Sequence, residues 1–177
     1  MIDMDRRYVF STHMFAKNAL PIYVLIGLVI FAIIALLVKL TWHINIKAML
    51  VLCIVILLVA IGAFLVKLRV LSGSYAEISE RQILVFCPSF DGYDNEGGGQ
   101  RYKASEFIAD RIDSVEICRR GLRIKGSIIK RTIETDHFGT RQSEKVLSNF
   151  VIKPYYEDWD ELVRTVINQF GGNSNGR

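Results

Sequence analysis

Residues 19–38 read ALPIYVLIGLVIFAIIALLV and residues 48–66 read AMLVLCIVILLVAIGAFLV, two long runs without a charged side chain. At about 1.5 Å per residue, the first run makes a helix about 30 Å long, which matches the hydrocarbon core of a bilayer. Both runs are apolar on every side, whereas a helix that lies on a membrane surface is apolar on one side only. The sequence therefore predicts transmembrane helices at 19–38 and 48–66.

Two other interpretations of these runs explain them less well. A soluble domain would have to cover two fully apolar helices with only about 100 largely polar residues, which is too few. A secretory signal peptide has an apolar region of about 7–15 residues, whereas the first run is longer and a second run follows it at once. We therefore interpret residues 39–47, KLTWHINIK, as a short external loop between antiparallel helices.

Basic residues flank the two runs unevenly, with five on the outer flanks and two in the loop. Because segments rich in Lys and Arg stay in the cytoplasm, we expect both termini to be cytoplasmic in a multi-pass plasma-membrane protein. Residues 1–18 then form a cytoplasmic N-terminal segment. The predicted membrane-interface anchors are Arg6, Arg7, Lys17, Lys39, Trp42, Lys47, Lys67 and Arg69.

The formal net charge of +4 is concentrated near the two apolar runs. Residues 1–71 hold seven Lys and Arg against two Asp, whereas residues 72–177 hold 15 basic against 16 acidic residues. A nucleic-acid-binding domain carries its excess of Lys and Arg on itself, because phosphate contacts dominate its affinity. We therefore expect no nucleic-acid partner.

The remainder of the chain, from residue 72 onward, has the pattern of short strands. Turn-forming residues fill 88–100, PSFDGYDNEGGGQ,. Apolar and polar residues alternate best in GLRIKGSII, residues 121–129, where Leu122, Ile124 and Ile128 are expected to face a core,. The other predicted strands are 74–79 paired with 82–87, then 102–108, 112–118, 131–136 paired with 121–129, and 147–153.

One amphipathic helix, from about Glu157 to Phe170, is predicted to close this domain. Its acidic first turn suits the positive end of the helix dipole, and Gly171 is a typical residue just after a helix. Residues 172–177 are expected to be a disordered tail. The inventory is six or seven antiparallel strands and one helix behind a transmembrane hairpin, a membrane-anchored α+β fold. The apolar stripe of the helix is Trp159, Leu162, Val163, Val166 and Phe170,.

Two segments resemble a known family. Gly121–Ile129 is the alternating strand, and Phe150–Phe170, FVIKPYYEDWDELVRTVINQF, passes through an aliphatic-Lys-Pro-aromatic step into the last helix. With these segments, and with two spans before a β domain, the chain resembles bacterial two-span membrane proteins with a C-terminal pleckstrin-homology-like (PH-like, YcxB-like) domain. The resemblance implies a cytoplasmic PH-like antiparallel β domain over 72–171, closed by one C-terminal α-helix. It implies no reaction.

The densest group of basic residues lies between positions 119 and 131. If alternate residues of a hairpin face outward here, they form a basic surface that contacts anionic lipid headgroups or a protein partner. The other interpretation is a solvated strand face balanced by Glu116, Glu134 and Asp136. The candidate contact residues are Arg119, Arg120, Arg123, Lys125, Lys130 and Arg131.

No sequence pattern indicates a metal site, a cofactor or a catalytic residue, and we expect none. An acidic loop lacks the ligand spacing of an EF-hand, and three consecutive glycines precede a strand instead of a helix. Three histidines are far apart, and two cysteines have no CxxC partner. These residues are Asp91, Asp94 and Glu96; Gly97, Gly98 and Gly99; His13, His43 and His137; and Cys87 and Cys118.

These observations predict a non-enzymatic interaction or sensing module that the hairpin holds at the cytoplasmic membrane face. Its partner would be another membrane protein, a peptide or a lipid headgroup. The alternative is an accessory subunit of a membrane transport or secretion complex, with the hairpin as the interface. The absence of ionisable residues from both runs argues against a pump or transporter. An enzyme would need a deep pocket with convergent His or carboxylate groups.

Overall fold

The computed structural model describes residues 6–41, 46–93 and 99–171, which fall into two compact units. The helical unit comprises residues 15–69. The sheet unit combines the residues before the helical unit, up to Met14, with the residues after the helical unit, from Val70 onward. The sheet unit is therefore built from two separate parts of the chain.

Two long helices, α1 (Thr12–Thr41) and α2 (Ile46–Leu71), contain the two predicted spans. By length and composition, both are able to cross a membrane. Only 11% and 6% of their most apolar windows are buried, whereas a helix in the core of a soluble protein is mostly buried,. The helices are thus compatible with a membrane protein. Most of the predicted loop 39–47, including Trp42, lies outside the described residues or in the helix ends.

The two helices approach each other closely at Gly27. A Cβ atom there would lie 3.2 Å from the Cβ of Ala60, so glycine permits close packing at this point,. Further along the seam, the ring of Phe64 stacks on Phe15 with 5.7 Å between centroids and meets Tyr23 edge-to-face at 5.6 Å. The hairpin therefore has a packed seam, while its other faces expose large apolar side chains.

The described residues of the sheet unit form six strands, each antiparallel to its neighbour in sequence, in the order β1-β2-β3-β4-β5-β6. This open antiparallel sheet followed by a helix agrees with the predicted α+β class. The strands are β1 (Arg6–Val9), β2 (Tyr75–Ile78), β3 (Ile83–Tyr93), β4 (Gln100–Cys118), β5 (Gly121–Asp136) and β6 (Gly139–Ile152).

The strands after β2 are longer than their sequence patterns predict. Residues 102–108 and 112–118 belong to one strand, because register shifts after Ala109 and Ile112 interrupt the alternation without ending the pairing,. Residues 131–136 continue β5 and do not pair with 121–129, so that part of the prediction is wrong. β6 begins at Gly139, well before the predicted start at 147, because its first half is an exposed edge without apolar alternation.

Residues 88–93 and 100 of the predicted loop 88–100 belong to strands of the sheet. β3 continues to Tyr93 and β4 begins at Gln100, and these two residues are paired. A register shift between Pro88 and Phe90 accommodates the proline, which cannot donate a ladder hydrogen bond,. The carboxylates Asp94 and Glu96 lie outside the described residues.

β1 lies in the segment 1–18, which the sequence predicts to be separate from the β domain. Residues 6–9 pair with residues 75–78 of β2, so the domain is not confined to 72–171. Two of the four residues of β1 are arginines, and its partner lies beyond both helices in sequence. The pairing therefore has no local signature.

One helix, α3 (Trp159–Phe170), covers the core face of the sheet, within two residues of the predicted bounds. Leu162 and Val166 of its apolar stripe are fully buried. Leu122, Ile124 and Ile128 of β5 are also fully buried, which confirms their predicted orientation. Further buried members of the core are Tyr8, Ala76, Ile78, Ile83, Val85, Ala109, Ile152 and Tyr156.

Candidate functional site

The two segments that connect the sheet to α1 and α2 lie beside a loop of the sheet unit. We call this place the junction (residues 9–11, 72–75 and 153–157). Only two residues separate β1 from α1, and only three separate α2 from β2. An isolated bridge joins Phe10 to Tyr156. Both connections are fixed by backbone hydrogen bonds: Phe10 N to Ser74 O (3.0 Å), Ser74 N to Leu71 O (2.8 Å), Ser11 N to Tyr155 O (2.7 Å) and Glu157 N to Val9 O (2.9 Å).

Side chains of β1 also tie it to α3. The Tyr8 side chain is buried in the core, and its hydroxyl lies 3.1 Å from the hydroxyl of Thr165. The Arg6 guanidinium donates a hydrogen bond of 2.6 Å to the Glu161 carboxylate. Exposed ion pairs add little stability, so Tyr8 contributes most of this attachment.

A basic group lies over a tyrosine ring beside each connection. The Arg7 guanidinium is 3.8 Å from the centroid of Tyr75, the first residue of β2. The Lys153 ammonium is 5.8 Å from the centroid of Tyr155, whose carbonyl bonds Ser11. Of these four residues, only Arg7 is among the sequence-predicted candidates. An aromatic residue shortly after the end of α2 is the signal that would have indicated Tyr75.

Beneath the junction, the hydroxyl of Tyr156 lies 4.0 Å from the Cys87 sulfur. Burial is the main cause of a raised pKa of the Tyr156 phenol, and Cys87 adds to the effect. The phenol therefore stays neutral in the folded domain at physiological pH. None of the three cysteines forms a disulfide.

A row of paired residues crosses the sheet on the face opposite α3. The Tyr75 ring stacks on its direct neighbour Phe86 with 5.2 Å between centroids. The row continues through Glu106 to Arg131, whose guanidinium contacts Glu106 at 3.2 Å and Glu144 at 2.8 Å. Hydrogen bonding to Glu144 is the main cause of the raised pKa of Arg131.

The six candidate contact residues do not form one basic face. Arg123 and Lys125 both contact Glu116, and the hydrogen bond from Lys125 lowers the pKa of this carboxyl. Lys130 lies on the core side, 5.6 Å from the ring centroid of Phe107. Strand alternation puts Lys130 on the same face as the buried Ile124 and Ile128, and not on the face of Arg123,. Arg131 is engaged by two glutamates as described above. Arg119 and Arg120 are exposed in the β4–β5 turn.

The structure distributes the predicted interface anchors over three elements. Arg6 and Arg7 belong to β1, Lys17 lies in the second turn of α1, and Lys67 and Arg69 lie in the last turns of α2. On the loop side, Lys47 is the second residue of α2, while Trp42 and the Lys39 side chain lie outside the described part of the chain. Their role as membrane anchors stays a prediction.

Within the described ranges, no three His, Cys, Asp or Glu residues lie close enough together to hold a metal ion. An open hollow of about 830 Å³ lies beside the start of α3. Its carboxylates sit on exposed backbone at the positive end of the helix, which explains their clustering without a ligand. Acidic residues at this hollow are Glu157, Asp158, Asp160 and Glu161, with Arg164 nearby.

A second hollow, of about 320 Å³, separates the β4–β5 turn from α3. Trp159, Val163 and the exposed Ile117 contribute apolar surface, and Arg119 lies at its edge. This hollow contains one carboxylate, Asp160, and no histidine, so it offers no acid–base pair. The backbone hydrogen bonds of the junction bring the segment before α1 and the segment after α2 together with the loop at 153–157.

Comparison with protein-family models, with curated proteins and with solved structures finds no match to this chain.

Proposed function

We propose that this chain is a non-enzymatic, membrane-anchored interaction or sensing module, which presents a PH-like domain at the cytoplasmic face of the plasma membrane. One observation carries the proposal: the sheet contains strands from both sides of the apolar hairpin. The hairpin supplies the anchor and the sheet with α3 supplies the interaction surface.

The strand pair β1–β2 constrains how the chain is threaded through a bilayer. β1 precedes α1 and β2 follows α2, so a sheet that contains both strands needs an even number of crossings between them. Two crossings satisfy this requirement, and one does not. The pairing therefore supports a hairpin with both flanks on one side.

The basic residues support the cytoplasmic side for these flanks. Lys17, Lys67 and Arg69 lie at the flanking ends of the helices, in addition to the two arginines of β1, against two lysines at the loop. Lys and Arg near the ends of spans are retained in the cytoplasm. The antiparallel sheet closed by one amphipathic C-terminal helix supports the PH-like assignment, which the sequence resemblance first suggested.

Cysteine labelling of the full chain in cells tests the sidedness. In a background with Cys53, Cys87 and Cys118 replaced by alanine, single cysteines are introduced at Arg120 and, as a matched exposed position on the loop side, at Lys47. We expect a membrane-impermeant maleimide to label Lys47→Cys in intact cells, and Arg120→Cys only after permeabilisation. Labelling of Arg120→Cys in intact cells would overturn the orientation.

Purification in a mild detergent separates this proposal from the alternative. The accessory-subunit alternative predicts a stoichiometric membrane protein partner that is held by the hairpin. The apolar side chains exposed along both helices are able to face lipid or such a partner equally well. A chain that purifies alone, and still does so after cross-linking in native membranes, supports the independent module.

A further inference from the structure

We propose that the junction lies at the outer edge of the headgroup layer of the membrane and binds phospholipid headgroups through two pairs of side chains, Arg7 with Tyr75 and Lys153 with Tyr155. This inference rests on the proposed membrane anchoring. It adds which surface of the domain meets the lipid, and by what chemistry: a basic group for the phosphate and an aromatic ring at interfacial depth.

The length of α2 gives the depth of the junction. The uncharged run ends at Val66, and α2 continues to Leu71, about 7.5 Å further along its axis,. A bilayer about 40–45 Å thick with a hydrocarbon core of about 30 Å leaves about 5–8 Å for the headgroups on each side. α2 therefore ends at the outer edge of the headgroup layer, or deeper where the helix is tilted.

The start of α1 leads independently to a similar depth. Residues 12–18 precede the uncharged run that begins at Ala19, and they add about 10 Å of helix,. Both connections to the sheet therefore begin within a few ångströms of the headgroups.

The two connections are too short for the sheet to lie far from the membrane. A segment of three residues spans at most about 10 Å when extended, and both connections are shortened by the hydrogen bonds of the junction,. Side chains that flank them are consequently within reach of the headgroups, since long basic side chains extend toward the interface.

Each connection has its own pair of side chains. Tyr75 follows Ser74 directly and carries the Arg7 guanidinium over its ring. Tyr155 accepts the Ser11 backbone hydrogen bond and carries the Lys153 ammonium. Arg7 and Lys153 are exposed, so their charged groups are available to phosphate,. Tyrosine is enriched at membrane–water interfaces because one end is apolar and the other is polar.

Carboxylates nearby limit the kind of lipid contact. Glu77 is the register partner of Arg7, and Glu157 bonds Val9 through its backbone and precedes Asp158. The junction is therefore not a broad basic patch that needs a strongly anionic membrane. We infer contacts with individual phosphate groups of phospholipids.

Photo-cross-linking of the full chain tests this inference. Benzoylphenylalanine replaces Tyr75 or Tyr155, with the chain in vesicles of equal parts phosphatidylcholine and phosphatidylglycerol that carry an alkyne tag. Arg81, exposed in the turn at the other end of β2, is the comparison position, and the exposed Leu58 of α2 is the positive control. We expect lipid adducts at 58, 75 and 155 and far fewer at 81. Arg7→Gln and Lys153→Gln should each lower the yield at the adjacent ring about fivefold.

The outcomes separate the inference from the proposed function. Lipid adducts at 58 with none at 75 and 155, equal yields at 81, or protein adducts in their place would overturn the headgroup contact and leave the anchoring intact. Unchanged yields in both glutamine variants would remove the role of the basic groups. Absence of adducts at 58 would refute the membrane anchoring itself, and the contact with it.

Discussion

Replacement of Tyr8 by alanine should destabilise the sheet unit strongly, because this side chain attaches β1 to the core. Tyr8 is 7% exposed, and its hydroxyl contacts Thr165 at 3.1 Å. Truncation of a buried aromatic residue to alanine costs about 3–5 kcal/mol, and the hydrogen bond accounts for about 1 kcal/mol of that. Because Tyr8 sits on an edge strand that is able to relax, we expect about 3 kcal/mol, a large part of a typical domain stability of about 5–15 kcal/mol.

A urea titration of the full chain in lipid nanodiscs measures this loss. Trp159 packs against the core and reports unfolding by fluorescence, after Trp42 is replaced by phenylalanine in every variant. With a urea dependence of about 1–3 kcal/mol per molar, a loss of about 3 kcal/mol lowers the midpoint by about 1–3 M.

Two variants serve as controls for the Tyr8 substitution. Tyr8→Phe keeps the ring and removes only the hydroxyl, so it should cost about 1 kcal/mol. Val9→Ala changes the next residue of β1, which is 46% exposed, and should stay within about 0.5 kcal/mol,. If Tyr8→Ala cost no more than Val9→Ala, residues 6–9 would not be part of the folded sheet and the threading argument would fail.

Four further predictions concern other features of the sheet unit. Gly126→Ala should lower the urea midpoint more than Gly139→Ala. Both glycines have a positive φ, 150° and 125°, but only at 126 would a Cβ atom overlap a β4 carbonyl oxygen, whereas the Cβ at 139 has open space. Ser74→Ala should leave the midpoint unchanged or raise it, since the hydroxyl is buried without a hydrogen-bond partner among the described residues,. Lys125→Gln should raise the pKa of Glu116, as measured by an NMR titration, because it removes the hydrogen bond that lowers this pKa. In the wild type, the lowered pKa of Glu116 contributes stability that is complete above the ordinary glutamate pKa of about 4.3 and is lost as the pH falls below it,. Tyr156→Phe should make the domain less sensitive to alkali, because the raised pKa of this phenol gives stability that is complete below about pH 10 and is lost as the pH rises further,.

Local periodicity explains which elements the sequence predicts well. The uncharged runs, the apolar stripe of α3 and the alternation at Leu122 and Ile124 each arise from spacing within a few turns or a few residues. Each of these patterns is visible in the local sequence without knowledge of the element's partners. The chain order of antiparallel neighbours also follows from the short links between the strands.

The missed features depend on partners that are distant in sequence. β1 is a strand because β2 offers an edge and α3 offers a pocket for Tyr8, and neither is visible in four residues that include two arginines. The register shifts within β4 and β5 are likewise properties of paired strands. The position of Lys130 is different in kind, because it follows from alternation with the buried Ile124 and Ile128, which already separates it from the face of Arg123,.

The junction was not predicted because its members come from three distant segments. The sequence pattern places Lys153 at the end of the predicted strand 147–153, Lys153 and Tyr155 in the step into the last helix, and Tyr75 in a strand. These residues lie close together because of hydrogen bonds between backbone groups, such as Ser11 N to Tyr155 O. Backbone hydrogen bonds do not depend on the type of side chain, so the sequence does not reveal them.

The pairing of β1 with β2 also sets an order of events during synthesis. The ribosome makes β1 first, but its partner Tyr75 emerges 66 residues after Val9, once both apolar helices have been made. Under the proposed membrane anchoring, a chain in which only one helix is inserted would leave these strands on opposite sides of the bilayer, with the edge of β2 unpaired and Tyr8 outside the core. Completion of the sheet would then report correct insertion, and a cell's proteases would find the misthreaded chains by their unfinished domain.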